Sequence, residues 1–182
     1  MNSEKAVDRR TRRTRKALRL ALQHLLMTKA FDQITVREIA EEADVAYTTF
    51  FRNYPDKESL LSALADEEIA ALLDLSLPIF VSESGYASSL ALCTYIKNNH
   101  QLWGVLLTGG ASSNIRENFI AQTELRSDLW PDEKNWLPTS LGSSVMCGIT
   151  LDVLGWWLGK EPQKTIEEVA AILERFFKVV RD

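Results

Sequence analysis

The amino-acid sequence predicts an all-α fold, with a three-helix N-terminal domain followed by a larger helical domain. Apolar residues recur at intervals of three and four along almost every readable segment, as on one face of a helix, rather than alternating as in a strand. Residues 35–38 and 165–168 both have the Thr-x-x-Glu pattern of a capping box. Each capping box predicts a helix start.

Three helices are predicted in the N-terminal domain. The first covers residues 14–28, and the second begins at Val36, after the first capping box, and is about two turns long. Asp44 suits the turn that follows. A third short helix fits within residues 45–53, because the position before Pro55 disfavours the α conformation.

The larger domain is predicted to begin with a helix over residues 57–75 that ends before Pro78. Two amphipathic helices follow at residues 88–98 and 114–125, separated by a Gly-Gly break. Residues 141–158 are apolar on most sides, which predicts a helix buried all round with Gly159 as its stop. The second capping box opens the last helix.

Length and composition limit the functional classes. The chain has 182 residues, of which 46% are hydrophobic and 25% charged, so it is globular and too short for a large multidomain enzyme. Cys93 and Cys147 lack the spacing of a disulfide framework or zinc site, and His24 and His100 have no second metal ligand nearby. No catalytic or cofactor-binding motif is present, so neither an enzyme nor a cofactor is predicted. With no signal peptide and no long apolar run, a cytoplasmic protein without membrane contact is expected.

Charge is distributed unevenly along the chain. The net charge is −4 overall, but residues 1–60 carry +3 and residues 61–182 carry −7. Within residues 1–19, eight basic residues stand against two acidic ones. A basic arm on an acidic body indicates a local contact with an anionic partner.

The order of the first three helices matches a helix-turn-helix DNA reader. A supporting helix with a basic arm precedes two short helices, and the second of these is short enough to enter a major groove. Apolar residues that can hold this arrangement together are Val36, Ile39, Ala40, Val45 and Phe50.

Two segments carry a family resemblance. Residues 34–45 (ITVREIAEEADV) and 49–61 (TFFRNYPDKESLL) resemble the tetracycline-repressor (TetR) family. Residues 148–159, with Trp-Trp-Leu near their end, and the capped last helix are similar to the last two helices of that family. The middle of the chain is unmatched.

The resemblance implies a two-domain homodimer. Residues 1–56 would form the helix-turn-helix domain with its basic arm, and residues 57–182 the ligand-binding and dimerisation domain. The implied function is that of a ligand-responsive transcriptional repressor. Its partners would be a near-palindromic double-stranded DNA operator, a small-molecule effector that releases it, and a second copy of the chain.

DNA contacts are carried over only at matching positions. Lys57 sits at the position of a phosphate-contacting lysine, Thr35 at a helix cap that contacts phosphate, and Tyr47 and Thr48 at positions that face base edges. Further predicted contacts are Arg13, Arg37, Phe51 and Asn53.

Four departures from the family pattern affect the DNA-binding prediction. The usual turn glycine is Asp44, the usual serine at the recognition-helix start is Ala46, and the usual glycine at the base-facing position is Thr48. Phe51 replaces a phosphate-binding tyrosine and cannot donate its hydrogen bond. A fifth difference, Asn53 in place of a histidine, can still bond a phosphate oxygen.

Two further sets of residues are predicted in the larger domain. Aromatic and adaptable side chains are candidates for the effector pocket: Tyr86, Tyr95, Trp103, Phe119, Trp130, Trp136 and Met146.

The last two helices carry more apolar surface than one chain readily buries, which favours a four-helix dimer interface. Its predicted members are Val145, Ile149, Val153, Trp156, Leu173, Phe176 and Phe177.

Two alternatives remain open. The chain could be a helical protein-interaction module that has kept the fold while the changes at Ala46 and Phe51 removed operator binding. It could also be a small enzyme that uses an aromatic cavity, although no paired acid and base groups support this.

Overall fold

The structure is a computed structural model that describes residues 2–82, 84–108, 112–126 and 137–181. Over these ranges the chain forms nine α-helices and one short 3-10 turn and contains no strand, which confirms the all-α prediction. It divides into two compact units, Met1–Ala65 and Asp66–Asp182. This division falls inside one helix, whereas the predicted domain boundary lies at the start of that helix.

The first unit contains three helices and the beginning of a fourth. These are α1 (Asn2–Leu26), α2 (Val36–Glu42), α3 (Tyr47–Phe51) and the start of α4 (Lys57–Ser82), with the 3-10 turn Phe31–Gln33 before α2. Helix α2 packs against both α1 and α3. The side chains buried in this unit include Leu18, Leu22, Leu26, Ile34, Ile39, Phe50, Leu60 and Leu61.

The predicted capping box at Thr35 is confirmed. The Thr35 hydroxyl accepts a hydrogen bond from the Glu38 amide at 3.2 Å, and the Glu38 carboxylate accepts one from the Thr35 amide at 2.9 Å. This reciprocal pair satisfies two backbone donors at the helix start. It fixes the first residue of α2.

The turn between α2 and α3 is a complete Schellman motif. The Val45 amide donates to the Ala40 carbonyl at 2.9 Å, and the Asp44 amide donates to the Glu41 carbonyl at 3.1 Å. Asp44 has a φ of 51°. Aspartate tolerates this left-handed conformation better than most residues, but a glycine adopts it without steric cost.

Replacing Asp44 with glycine should stabilise the first unit. We expect Asp44→Gly to raise the free energy of unfolding by up to about 1 kcal/mol, because the left-handed backbone is no longer strained. Urea unfolding followed by circular dichroism measures this change. Asp44→Ala is the matched control and should lower stability, so an alanine variant as stable as the glycine variant would contradict the explanation.

The second unit contains the rest of α4 and five further helices. These are α5 (Gly85–Asn98), α6 (His100–Thr108), α7 (Ser112–Glu124), α8 (Thr139–Lys160) and α9 (Ile166–Arg181). Helix α5 packs mainly on α9, while α8 contacts α6, α7 and α9. Trp103 and Trp157 are the largest fully buried side chains. The predicted cap of α9 is confirmed, since Thr165 and Glu168 exchange hydrogen bonds of 2.8 and 3.2 Å.

Several predicted helix boundaries are wrong, including the start of α5, which is Gly85 rather than residue 88. Helix α1 begins at Asn2 rather than residue 14, because arginine, lysine and alanine favour a helix even where no apolar face marks it. Helix α4 continues through Pro78 to Ser82. The φ of a proline is compatible with a helix, and the missing N–H of Pro78 removes only one backbone hydrogen bond. Helix α8 runs through Gly159, and no glycine in the described ranges has a positive φ that would end a helix there.

Helix α6 was not predicted, and α8 is not buried all round. Several apolar residues of α8 are only half-buried or exposed: Leu141, Val145, Met146, Ile149, Val153 and Trp156. Over Ser140–Lys160 the helix is long and apolar enough to cross a membrane by length and composition alone. Core helices of soluble proteins meet the same criterion, so this is weak evidence for a membrane span.

Candidate DNA-binding surface and effector site

Helix α3 presents one buried aromatic side chain and two exposed ones. Phe50 is fully buried and anchors the helix, whereas Tyr47 and Phe51 are 50% and 47% exposed. Thr48 is also exposed. Tyr47 and Phe51 are four residues apart, so they lie on the same side of the helix.

The exposed rings are held in place by contacts with each other and with the core. The Tyr47 and Phe51 ring centroids are 5.2 Å apart in an edge-to-face arrangement, and Phe51 makes a second such contact with Phe50 at 5.3 Å. Edge-to-face pairs of this kind contribute about 0.5–1.5 kcal/mol to stability, in addition to the contribution of the apolar area that they bury. The surface of α3 is therefore partly fixed before any partner binds.

Lys57 makes a set of contacts that sequence reasoning missed. Its ammonium donates to the carbonyls of Phe31, Ile34 and Asp32 at 2.9, 3.0 and 3.3 Å. An ammonium has three donors, so all of them are used. Lys57 thus ties the start of α4 to the turn before α2, and a phosphate would have to displace a carbonyl.

The predicted phosphate contact at Thr35 meets a similar constraint. Both donors of this residue, the hydroxyl and the amide, bond the Glu38 carboxylate at 2.9 Å. Hydrogen bonds from Lys29 and then from Thr35 lower the pKa of Glu38 to about 2. A carboxylate that stays ionised beside Thr35 disfavours a nearby phosphate.

Arg13 and Arg37 are available for an anionic partner, whereas Asn53 is constrained. Arg13 and Arg37 are exposed, and in the described ranges neither forms a salt bridge. The Asn53 side chain donates to the Thr49 carbonyl at 2.9 Å, and its own oxygen is buried without a hydrogen-bond partner among the described residues.

Helix α1 carries the basic arm predicted from the sequence, as helix rather than as a separate tail. Its exposed basic residues are Arg9, Arg10, Arg12, Arg13, Arg15 and Lys16. Arg19 instead donates to the Tyr54 hydroxyl at 3.1 Å. Tyr54 is buried, and the Arg15 guanidinium lies 5.9 Å from the centre of its ring.

In the second unit, two of the predicted pocket residues meet at a buried acid that the sequence analysis did not single out. Glu68 is 9% exposed, and its carboxylate accepts a hydrogen bond from the Tyr95 hydroxyl at 2.8 Å. The Trp103 indole is fully buried and lies close enough to Glu68 to favour the ionised form of its carboxylate. The indole N–H nevertheless forms no hydrogen bond of acceptable geometry with any described group. No described residue forms a salt bridge with Glu68.

The remaining pocket candidates differ in burial. Phe119 is buried in α7, while Tyr86 in α5 and Met146 in α8 are half-buried. Trp130 and Trp136 lie outside the described residues.

Burial raises the pKa of Glu68, even though Tyr95 and Trp103 act in the opposite direction. When the pKa of an acid is higher in the folded state than in the unfolded state, its protonated form stabilises the fold. For Glu68 this contribution is fully present at pH values below 4.5, the pKa of the unfolded state. That contribution is lost as the pH rises through the folded pKa. Ionising Glu68 therefore costs stability, because its carboxylate is buried and has no cation beside it among the described residues.

Replacing Glu68 with glutamine should relieve this cost. We expect Glu68→Gln to melt at a higher temperature than the wild type at pH 7, and the difference to shrink towards pH 4, where both side chains are neutral. Thermal unfolding at the two pH values measures it. Glu117→Gln, at an exposed position, is the control and should show no such pH-dependent gain; a destabilised Glu68→Gln at pH 7 would contradict the assignment.

The predicted interface residues differ in accessibility. Leu173 and Phe177 are buried within the second unit, whereas Phe176 is 45% exposed and the nearby Val179 is also exposed. The half-buried members are Val145, Ile149, Val153 and Trp156. Surface remains available for a second chain at Phe176 and along these α8 residues.

The described residues contain no cluster of three or more metal-ligating side chains. Cys93 and Cys147 are free and buried, and burial raises the pKa of Cys93 to about 12. At neutral pH this thiol is therefore protonated and a poor nucleophile.

Comparisons with known proteins agree on one family. Residues 20–64 match the family described as bacterial regulatory proteins, tetR family. A 72-residue segment is 35% identical to the uncharacterized HTH-type transcriptional regulator YxbF of Bacillus subtilis, covering 39% of this chain and 19% of YxbF. The chain spans less than a third of the length of the curated relatives it matches.

Solved structures share the fold over almost the whole chain. A TetR transcriptional regulator from Rhodococcus sp. RHA1 matches with a TM-score of 0.69 at 14% identity, covering 94% of this chain and 97% of that one. FadR of Thermus thermophilus, a TetR-family repressor in complex with lauroyl-CoA, matches with a TM-score of 0.64 at 15% identity, covering 90% and 93%. These relatives are transcription factors and not enzymes.

Proposed function

We propose that this chain, a transcriptional regulator of the tetR family by its match over residues 20–64, is a ligand-responsive repressor that binds a near-palindromic operator as a homodimer. The observation that supports this most is the short helix α3, anchored by Phe50 and exposing Tyr47, Thr48 and Phe51 after a Schellman turn. This geometry suits insertion into a major groove. Two copies would read half-sites about 34–36 Å apart.

The basic face of α1 supports the DNA partner. Its exposed arginines and lysine supply phosphate neutralisation that does not depend on sequence. We expect this phosphate neutralisation to make the affinity for DNA fall steeply as the salt concentration rises. Arg13 and Arg37 are the predicted phosphate contacts that have no competing salt bridge in the described ranges.

An effector is proposed to bind in the second unit. The buried acid Glu68, with Tyr95 and the unpartnered indole of Trp103, supplies polar groups among aromatic side chains, which is typical of small-molecule sites. Helix α4 carries Glu68 and begins at Lys57, so it provides a covalent connection from the effector site to the DNA-binding unit.

We also propose that the protein is located in the cytoplasm and makes no contact with a membrane.

DNA binding tests the function. Binding of the full chain to a labelled fragment from upstream of its own gene is compared with binding to scrambled DNA across a salt series. We expect preferential binding of the upstream fragment, with Tyr47→Ala reducing that affinity about tenfold and leaving the scrambled affinity unchanged. Equal losses on both DNAs would show that Tyr47 does not read sequence.

The interaction module remains the second candidate, because two observations favour it. Ala46 gives α3 no side-chain cap, and Phe51 has no hydroxyl for a phosphate. A dimer that binds both fragments equally, with the same salt dependence, would support this candidate over the repressor.

A further inference from the structure

The exposed face of α3 lacks the side chains that form paired hydrogen bonds with bases. From Val45 to Phe51 the sequence is VAYTTFF, with no arginine, lysine, asparagine, glutamine or acid. Guanine and adenine are usually recognised by bidentate contacts from arginine, lysine, asparagine or glutamine. Sequence readout by this helix must therefore depend on other chemistry.

Phe51 offers an apolar contact in a fixed position. Its ring is 47% exposed and is held by edge-to-face contacts with Tyr47 at 5.2 Å and Phe50 at 5.3 Å. Without a hydroxyl it cannot bond a phosphate. An exposed aromatic ring that is already ordered loses little side-chain entropy on binding.

One base presents an apolar group in the major groove, namely thymine through its C5-methyl group. Phenylalanine and the threonine methyl are suitable partners for that group. Tyr47 and Thr48 flank Phe51 on the exposed side of α3 and add one hydroxyl each. Their hydroxyls can bond the thymine O4 or a neighbouring base edge.

We propose that Phe51, supported by Tyr47, reads the C5-methyl group of a thymine in each operator half-site. This inference rests on the proposed operator binding and assigns it a base chemistry. Replacing the usual tyrosine with Phe51 would then exchange a phosphate contact for an apolar base contact.

The test begins with selection of duplexes from a random-sequence pool by the full-length protein. Each thymine of the selected half-site is then replaced by uracil, which removes the methyl group and changes nothing in the protein. We expect one replacement per half-site to weaken wild-type binding about fourfold, the equivalent of one buried methyl group. The other replacements should be tolerated.

Variants assign the contact to a residue. With Phe51→Ala, thymine and uracil duplexes should bind equally at that position, whereas Thr48→Ser, which removes only the threonine methyl, should keep the difference. Circular dichroism and binding to scrambled DNA check that each variant is folded. If Phe51→Ala fails to fold, the uracil comparison on the wild type still tests the methyl contact, and Phe51→Leu, a smaller apolar change, takes the place of the alanine variant and should reduce the uracil penalty.

The outcomes separate the two proposals. A pool that yields no enriched sequence contradicts operator binding and with it the inference. Enriched duplexes that lack a fixed thymine, or that tolerate uracil throughout, overturn the methyl contact and leave operator binding standing. A uracil penalty that persists in folded Phe51→Ala assigns the contact to another residue and overturns the role of Phe51.

Discussion

Phe176→Asp is expected to convert the proposed dimer to a monomer and to lower affinity for the proposed operator by at least about 100-fold. Phe176 is 45% exposed on α9, with Val179 exposed nearby, so a charge there would be tolerated in one chain but would be buried in a dimer. A dimer engages its second half-site at a high effective concentration, and a monomer loses that advantage.

Light scattering after gel filtration and operator titration measure these two effects. Leu125→Asp is the matched control, because Leu125 is 82% exposed in the same unit but lies outside the predicted interface. It should remain dimeric and bind as the wild type does. If Phe176→Asp stayed dimeric with unchanged affinity, the interface would lie elsewhere.

The second large effect is expected at Lys57. Removing its ammonium in Lys57→Met leaves three carbonyls, at Phe31, Asp32 and Ile34, without their charged donor. We expect a loss of about 2–3 kcal/mol in the free energy of unfolding, since hydrogen bonds to charged groups are the strong ones. Lys57→Arg should recover only part of it, because a planar guanidinium does not match three converging carbonyls.

The same variants distinguish a structural clamp from a phosphate contact. If Lys57 acts as the clamp, Lys57→Met lowers stability and leaves the slope of log affinity against log salt unchanged. A phosphate contact would instead reduce that slope by about 1 at unchanged stability. Urea unfolding and a salt series on the same preparation therefore give opposite patterns for the two roles.

Local features of both units were predictable from sequence. The caps at Thr35 in the first unit and Thr165 in the second, and the turn at Asp44, depend on hydrogen bonds within a few residues, so their residue types indicate their geometry directly. The burial of Phe50 and the exposure of Tyr47 follow from the same local periodicity. These features place the candidate DNA-binding surface.

Features that join distant residues were not predictable in the same way. The bonds of Lys57 reach carbonyls 23 to 26 positions away, which no local pattern indicates. Glu68 was overlooked because it ends an acidic run, yet it lies four residues from Leu64 and from Leu72. That spacing places it on the apolar face of α4 and could have revealed a buried acid.

Dimeric recognition of two half-sites is tested most directly by a hydroxyl-radical footprint of the wild-type chain on its selected duplex, together with the mass of the complex. We expect two protected segments one helical turn apart, centred on one face of the DNA, and two protomers per duplex. One protected segment with a single protomer, or uniform protection that scrambled DNA reproduces, would contradict a dimeric reader of two half-sites.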